Sequence, residues 1–159
     1  MKNTTLLTLL TLTLCVFGAE KGDKEKNIAA SELTEAAWRA NLKRKPEEIL
    51  KQTEKCIELF EKEALKMQKT LKAPISTGGN QGLNREAVQA QWALNEVGTC
   101  YLLQGKAYEQ LKKPELALES YRKLANELPY AQCWDPGGWF WKPAKAAQKR
   151  IAALENKKP

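Results

Sequence analysis

Hydrophobic residues recur every three or four positions across residues 46–71, with Lys and Glu between them. This period places the apolar side chains on one face of a helix and the charged ones on the other. Pro46 favours the helix start, because the first helical residue needs no amide hydrogen. We therefore predict a long amphipathic helix whose apolar positions are Ile49, Leu50, Cys56, Ile57, Phe60, Ala64, Leu65, Met67 and Leu71.

The same period predicts four more helices, at 31–42, 85–111, 114–128 and 143–155. Ser31 and Asn84 are suitable N-caps for the first two, and Pro114 and Pro143 can begin the last two. The glycine-rich segment 76–82 predicts a turn after the long helix. No segment after residue 19 alternates apolar and polar residues as a strand does, so the predicted fold class is all-α.

The first 19 residues are typical of a secretory signal peptide. Lys2 is followed by a run of Leu, Thr and Val over 6–17 and then by the small residues Gly18 and Ala19. The run is shorter than the about 20 apolar residues that a membrane span needs, and no later stretch is apolar enough. Cleavage after Gly18 or Ala19 would leave a soluble protein outside the cytoplasm, periplasmic or extracellular. A lipid anchor on Cys15 is the alternative. Residues 20–30, which are polar and without periodicity, are expected to form a flexible lead-in.

Composition excludes several functions. The chain has 159 residues, enough for one domain, and it has no His, which removes mechanisms that need an imidazole as base or metal ligand. Its 26 Lys and Arg exceed its 19 Asp and Glu, but they are interleaved with Glu along the helical faces. That distribution indicates solvated helix surface and no nucleic-acid partner. We expect no cofactor and no metal site.

Two segments of the chain are similar at an offset of 68 residues. Aligning Pro46 with Pro114 places KPEEILKQT over KPELALESY, and 68 is twice the 34-residue period of the tetratricopeptide repeat. A Lys-Lys turn precedes Pro114 where that family favours Gly or Asn. The resemblance implies antiparallel helical hairpins over 31–155, capped by a helix at 143–155; an unrelated helical bundle is the alternative. Residues that resemble the repeat directly, at its spacings, are Tyr101, Gly105, Tyr108, Ala117, Tyr121 and Pro129.

The resemblance also implies where a partner would bind. In a tetratricopeptide array the first helix of each pair lines a concave groove. In this register the groove presents Trp38 and Asn41 from one pair and Leu102, Lys106 and Glu109 from the other. This mixture of polar and apolar side chains suits a peptide. The first functional hypothesis is therefore an exported, non-catalytic module that binds a protein or peptide partner in the cell envelope.

The segment 130–142 is dense in aromatic residues. Trp134, Trp139 and Trp141 flank a turn at 135–138, where Pro followed by Gly favours a tight turn. Together with helix 143–155 these rings can cover the apolar end of the helical array, and we expect this stabilising role. Alternatively they form an exposed platform that stacks on a sugar ring or grips a peptide. The second functional hypothesis, a glycan-binding or glycan-hydrolysing accessory protein of the cell envelope, depends on this platform.

Enzymatic activity is not expected. Glycoside hydrolysis needs only two carboxyl groups, and Asp135 lies beside Trp134. Nearly all Glu residues, however, fall on predicted solvated faces, where no neighbour would raise their pKa.

Three cysteines remain after the leader: Cys56, Cys100 and Cys133. An odd number in an oxidising compartment allows one intramolecular disulfide and leaves one thiol. If the helices on either side of the glycine-rich turn are antiparallel, Cys56 and Cys100 are equally far from the turn and therefore lie side by side. Cys133 is the other possible partner of Cys100. We expect a disulfide that includes Cys100; the alternative is that all three are small apolar core residues.

Overall fold

Six helices and one β-hairpin make up the part of the chain that the structure describes. The computed structural model covers the backbone of residues 7–77 and 84–156, and the side chains from residue 22 onward within those ranges. The mostly helical fold predicted from the sequence is confirmed. The predicted leader at 1–19, with Cys15, and most of the glycine-rich turn lie outside the residues whose side chains are described. The elements are α1 (Leu7–Leu42), α2 (Pro46–Thr70), α3 (Arg85–Gln89), α4 (Trp92–Gln110), α5 (Pro114–Glu127), β1 (Cys133–Asp135), β2 (Trp139–Trp141) and α6 (Pro143–Glu155).

The predicted start of the first helix is wrong. Residues 20–30 belong to α1 instead of forming a flexible lead-in, so Ser31 lies inside the helix and not at its N-cap. This segment is anchored because Ala30 is fully buried in the main core. Lys26 also pairs with Asp23 one turn earlier, at 3.7 Å, a spacing that supports a helix. The polar composition of 20–30 therefore describes an exposed helical face.

The helix predicted over 85–111 is interrupted at residues 90–91, which separates α3 from α4. Asn95 donates a hydrogen bond from Nδ2 to the carbonyl oxygen of Val88, at 2.7 Å. The Oδ1 atom of Asn95 accepts a hydrogen bond from the backbone N–H of Gln132, at 2.9 Å. Because a side chain that bonds to the backbone competes with regular helical hydrogen bonds, the interruption depends partly on a residue 37 positions away.

The turns α1–α2 and α4–α5 have the same geometry, 68 residues apart. Arg44 and Lys112 have positive φ angles of 51° and 57°. In each turn this residue and the next one donate hydrogen bonds back to the preceding helix, which is the Schellman motif that ends a helix with a left-handed residue. The bonds are Arg44 N–H to Asn41 O (3.1 Å), Lys45 N–H to Ala40 O (3.0 Å), Lys112 N–H to Glu109 O (3.0 Å) and Lys113 N–H to Tyr108 O (2.9 Å).

The buried positions of the two helical pairs also correspond at this offset. Four buried residues of α2 each have a buried counterpart 68 positions later, in or just after α5. The similarity in sequence is therefore accompanied by equal turns and by corresponding core positions. The two sets are Ile49, Thr53, Cys56 and Phe60 in α2, and Ala117, Tyr121, Leu124 and Leu128 in and just after α5.

Helix α4 is the centre of the fold, because it packs against α1, α2, α5 and α6. It approaches α5 closely at Gly105, where a Cβ atom would overlap the ring of Tyr121. The missing side chain lets the Tyr121 ring become fully buried between the two helices. Gly105 is one of the residues that resemble the tetratricopeptide repeat.

The expectation that no strand follows residue 19 is wrong at 133–141. Strands β1 and β2 pair antiparallel, with Cys133 opposite Trp141 and Asp135 opposite Trp139. The turn between them is closed by the Gly138 N–H, which donates to the carbonyl oxygen of Asp135 at 2.9 Å. Gly138 has a φ of 101°, which only glycine adopts readily. Strands of three residues are too short for alternation to be recognised in the sequence.

Candidate functional site

Helices α1 and α4 lie side by side and run in the same direction. Thr34 Oγ1 lies 3.5 Å from Cys100 Sγ, and further toward the C-terminal ends of both helices Lys106 Nζ lies 5.2 Å from the ring centre of Trp38. Trp38 and Lys106 are themselves 68 residues apart, so equivalent positions of the two helical pairs meet here. Helix α6 also packs against α4. We call the surface shared by these three helices the groove; it contains two cavities.

The larger of these cavities, the hairpin cavity, encloses about 590 Å³ between α1, the start of α4 and the β-hairpin. Most of the side chains around it are polar and uncharged. Four aromatic rings and two carboxyl groups complete its lining, namely Trp38, Trp92, Trp134, Phe140, Glu35 and Glu96.

The smaller cavity, the arginine cavity, encloses about 270 Å³ and lies further along the same helices. Asn41 contributes from α1, Lys106, Glu109 and Gln110 from α4, and Arg150 from α6. The two ends of the groove therefore differ in chemistry: carboxyl groups and aromatic rings line one, and two cations with one carboxylate line the other.

Hydrogen bonds to Gln132 hold the β-hairpin against the groove. Its backbone N–H donates to Asn95, and its Nε2 donates to the carbonyl oxygen of Ile75 at 2.9 Å. Trp134 then stands at the cavity wall, with the Phe140 ring edge-on at 4.9 Å between centres. The guanidinium of Arg85 lies 4.5 Å from the centre of the Trp134 ring, which is a cation–π distance.

Glu96 is the half-buried carboxyl group of the hairpin cavity. Burial raises its pKa above the ordinary value of 4.5, the hydrogen bond with the Thr34 side chain lowers it, and the charge of Glu35 raises it again. Glu96 is thus an exception among the Glu residues, nearly all of which were expected on solvated faces. Sequence reasoning overlooked Glu96, although its place four residues after Trp92 and three before Thr99 puts it on a face that also carries buried side chains.

Glu109 is held by two neighbouring side chains. Tyr121 donates its hydroxyl proton to Glu109 Oε1 at 2.7 Å, and Arg150 Nε donates to the same oxygen at 2.8 Å. A second nitrogen of Arg150 pairs with Glu109 Oε2. The Glu109 hydrogen bond raises the pKa of Arg150, so this guanidinium stays charged. The network links α4, α5 and α6 at the far end of the groove.

The structure brings together four of the five predicted partner-binding residues. Trp38, Asn41, Lys106 and Glu109 all line the groove. Leu102 does not, because it is only 1% exposed and belongs to the main core; its prediction as a contact residue is wrong. Lys106 is half-buried over the ring of Trp38. Burial lowers its pKa, Arg150 lowers it further and Glu109 raises it.

The three tryptophans of the aromatic segment have different environments. Trp141 packs against the main core, as a covering role requires. Trp134 and Trp139 are 38% and 48% exposed, as a platform would require. Trp139 lies over Gly137, where a Cβ atom would overlap its ring. The segment therefore combines one stabilising residue with two accessible ones.

All three described cysteines are free thiols in this structure. Cys56 and Cys100 are neighbours, as their equal predicted distances from the glycine-rich turn imply. Burial raises the pKa of Cys100 well above 9.0, and the hydrogen bond with Cys56 raises it further. Cys133 lies 2.7 Å from Thr99 Oγ1, and burial raises its pKa to about 12. The disulfide at Cys100 stays a prediction, for which Cys56 is the partner that the fold brings close.

Comparison of the chain with protein-family models, with curated proteins and with solved structures finds no match. Among the residues that the structure describes, no helix has an apolar stretch long enough to cross a membrane. The same residues contain no cluster of three or more Cys, Asp or Glu arranged to hold a metal ion.

Proposed function

We propose that the chain is an exported, non-catalytic interaction module of tetratricopeptide type that binds an extended segment of a protein partner in the groove. The observation that carries this proposal is the position of Trp38. It lines the hairpin cavity and contacts Lys106, which lines the arginine cavity. One ring therefore joins the two cavities into a continuous surface along α1 and α4.

The dimensions of this surface support a peptide ligand. Asn27 lines the hairpin cavity and Asn41 the arginine cavity. They are 41 minus 27, or 14, residues apart on α1, which is about 21 Å at 1.5 Å per residue. An extended segment of about six residues spans this length. The equal turns and the corresponding buried positions at an offset of 68 support the repeat assignment.

Site-specific photo-crosslinking in the compartment to which the chain is exported tests the proposal. A photo-reactive amino acid replaces Glu35, which is exposed at the hairpin cavity, or, as the control, Glu119, which is exposed on α5 away from the groove. We expect a discrete cross-linked partner from position 35 and none from position 119. Lys106→Glu should abolish the cross-link, because it removes the cation over Trp38 and places a second negative charge beside Glu109 in the groove. Lys55→Glu on α2 is the control and should leave the cross-link unchanged. Equal cross-linking from both positions would contradict the proposal.

Export to the periplasm or beyond the cell is proposed on the basis of the leader. Mass spectrometry of the protein recovered from that compartment should find an N-terminus near Ala19 or Glu20. A mature chain that begins at Met1 would contradict cleavage, and a lipid on Cys15 would replace it.

A glycan ligand is the second candidate, favoured by the exposure of Trp134 and Trp139. Aromatic rings that are accessible on a rigid turn can stack on a sugar ring. Co-sedimentation with insoluble cell-wall polysaccharide distinguishes the two candidates. Binding to the polysaccharide that Trp139→Ala abolishes and Lys106→Glu leaves intact would favour the glycan; the reverse would favour the peptide.

A further inference from the structure

The hairpin cavity has two carboxyl groups and no basic residue in its lining. Glu35 and Glu96 both face it, and among the side chains that the structure describes around it there is neither Lys nor Arg. The interactions that perturb Glu96 are burial, the Thr34 side chain and the charge of Glu35. A half-buried carboxylate without a cationic neighbour is a costly arrangement in a folded chain, and a ligand that supplies the positive charge would remove that cost.

The aromatic rings around the cavity also favour a cation. Trp38, Trp92, Trp134 and Phe140 line it, and the faces of aromatic rings attract ammonium and guanidinium groups. Two of these rings already bind cations at the edges of the cavity, since Lys106 lies over Trp38 and Arg85 over Trp134. Neither cation is part of the lining.

We infer that the hairpin cavity binds a positively charged side chain of the partner segment, a lysine ammonium or an arginine guanidinium. This inference rests on the proposed function and defines the partner's chemistry. A basic residue enters between the four rings, and Glu96 accepts its hydrogen bond. The volume of about 590 Å³ accommodates a long basic side chain together with part of its backbone.

Glu35 is the accessible member of the carboxyl pair. It forms a surface ion pair with Arg39 at 3.3 Å, in which both side chains are more than 60% exposed. Pairs of this kind contribute little to stability, so Glu35 can turn from Arg39 to an incoming cation at small cost. Glu96, which is half-buried, is the more selective partner.

Two blocked pentapeptides test the inference, one with a central lysine between Gly and Ser residues and one with acetyl-lysine at the same position. Binding to the exported chain is followed by the indole N–H signals of its tryptophans in NMR spectra. We expect the lysine peptide to shift the signals of Trp38, Trp92 and Trp134 and to leave Trp141 unchanged. The acetylated peptide should bind at least roughly tenfold more weakly, as the loss of one charged hydrogen bond predicts.

Substitutions identify the carboxyl group that is responsible. Glu96→Gln should weaken binding of the lysine peptide roughly tenfold, and Glu35→Gln should weaken it less. Glu63→Gln removes a surface carboxylate on α2 and should leave binding unchanged. Equal binding of the two peptides, or unchanged binding by Glu96→Gln, would overturn the cation site. If position 35 cross-links a partner but neither peptide shifts the indole signals, the inference fails and the proposed function stands. If cross-linking also fails, both the inference and the proposed function are wrong. A neutral oligosaccharide that shifts the same indole signals would then identify a glycan site instead.

Discussion

Arg44 and Lys112 have the same left-handed backbone conformation at equivalent points of two helical hairpins, 68 residues apart. Each ends a helix and is followed, two positions later, by the proline that begins the next one. Neither is a glycine or an asparagine, so each turn contains a backbone conformation that its own side chain disfavours. The turn geometry is therefore imposed by the helical pair and the proline, and not by the residue itself.

Glycine at either position should stabilise the protein. Arg44→Gly and Lys112→Gly remove the steric cost of a positive φ, and each should raise the free energy of unfolding by about 0.5–1 kcal/mol after the entropy loss of glycine. Lys113→Gly is the matched control and should destabilise, because Lys113 has a φ of −113°. Urea denaturation measures all three. A gain in only one of the two turns would mean that they are not equivalent.

Gly105→Ala should destabilise the contact between α4 and α5. The new methyl group overlaps the buried Tyr121 ring, and overpacking of this kind costs about 1–3 kcal/mol. Gly22→Ala is the control, because it is also helical and has no heavy atom within 4 Å of the added carbon. Alanine there should be neutral or slightly stabilising. Equal effects in thermal melts would contradict the close approach at Gly105.

Glu96→Gln should make the stability less dependent on pH. Because burial raises the pKa of Glu96 above its unfolded value, the folded chain binds this proton more tightly. The resulting contribution to stability is present below the unfolded pKa and is lost as the pH rises through the raised folded pKa. The Gln variant should therefore melt higher than the wild type at pH 7 and equally at pH 4.

The matched control for this change is Glu63→Gln, which removes a partly exposed carboxylate that pairs with Lys66 at 3.5 Å. It should give no comparable gain at pH 7. A lower melting temperature for Glu96→Gln at pH 7 would indicate that the carboxylate is stabilised in the folded chain.

The tryptophans of the aromatic segment should separate into two groups. Trp141→Ala should lower the free energy of unfolding by at least about 2 kcal/mol, because the ring packs against the core. Trp139→Ala should cost less than about 1 kcal/mol, because nearly half of that residue is exposed. Chemical denaturation of the two variants measures the difference. Similar losses would mean that the whole segment only closes the end of the fold.

We expect one free thiol in a chain that is recovered from an oxidising compartment and unfolded without reductant. Cys56 and Cys100 are neighbours, whereas Cys133 pairs with Thr99, so Cys133 should be the free one. The bond would close a loop of about 45 residues, which contributes roughly 3–4 kcal/mol in the chain-entropy model. Peptide mapping with a thiol-specific label identifies the residues. Three free thiols in protein kept from reductant would contradict the disulfide.

Local spacing predicted most of the helices, because their signals lie within a few residues. Pro46, Pro114 and Pro143 mark three helix starts, and the apolar period of each following segment gives its buried face. Four of the five residues that the resemblance to the tetratricopeptide repeat proposed for partner binding line the groove.

Long-range contacts decided what the spacing could not. The break before α4 depends on Asn95, whose side chain bonds to Gln132, and the burial of Leu102 depends on helices that pack from two sides. The spacing of Glu96 places it on a helix face that also carries buried side chains, but it does not show which elements cover that face. The environment of Glu96 is set by α1 and by the β-hairpin, neither of which is near it in the chain.

The sequence by itself therefore determined most of the helices and their order, since these depend on propensity, capping and period over short distances. The tertiary structure decided that Trp38 from the groove and Trp134 from the aromatic segment line one cavity. The two candidate regions of the sequence are 96 residues apart, and only the packing of α1, α4 and the hairpin brings them together. A site formed by side chains from distant elements leaves no periodic signal, because each of its residues is spaced according to its own element.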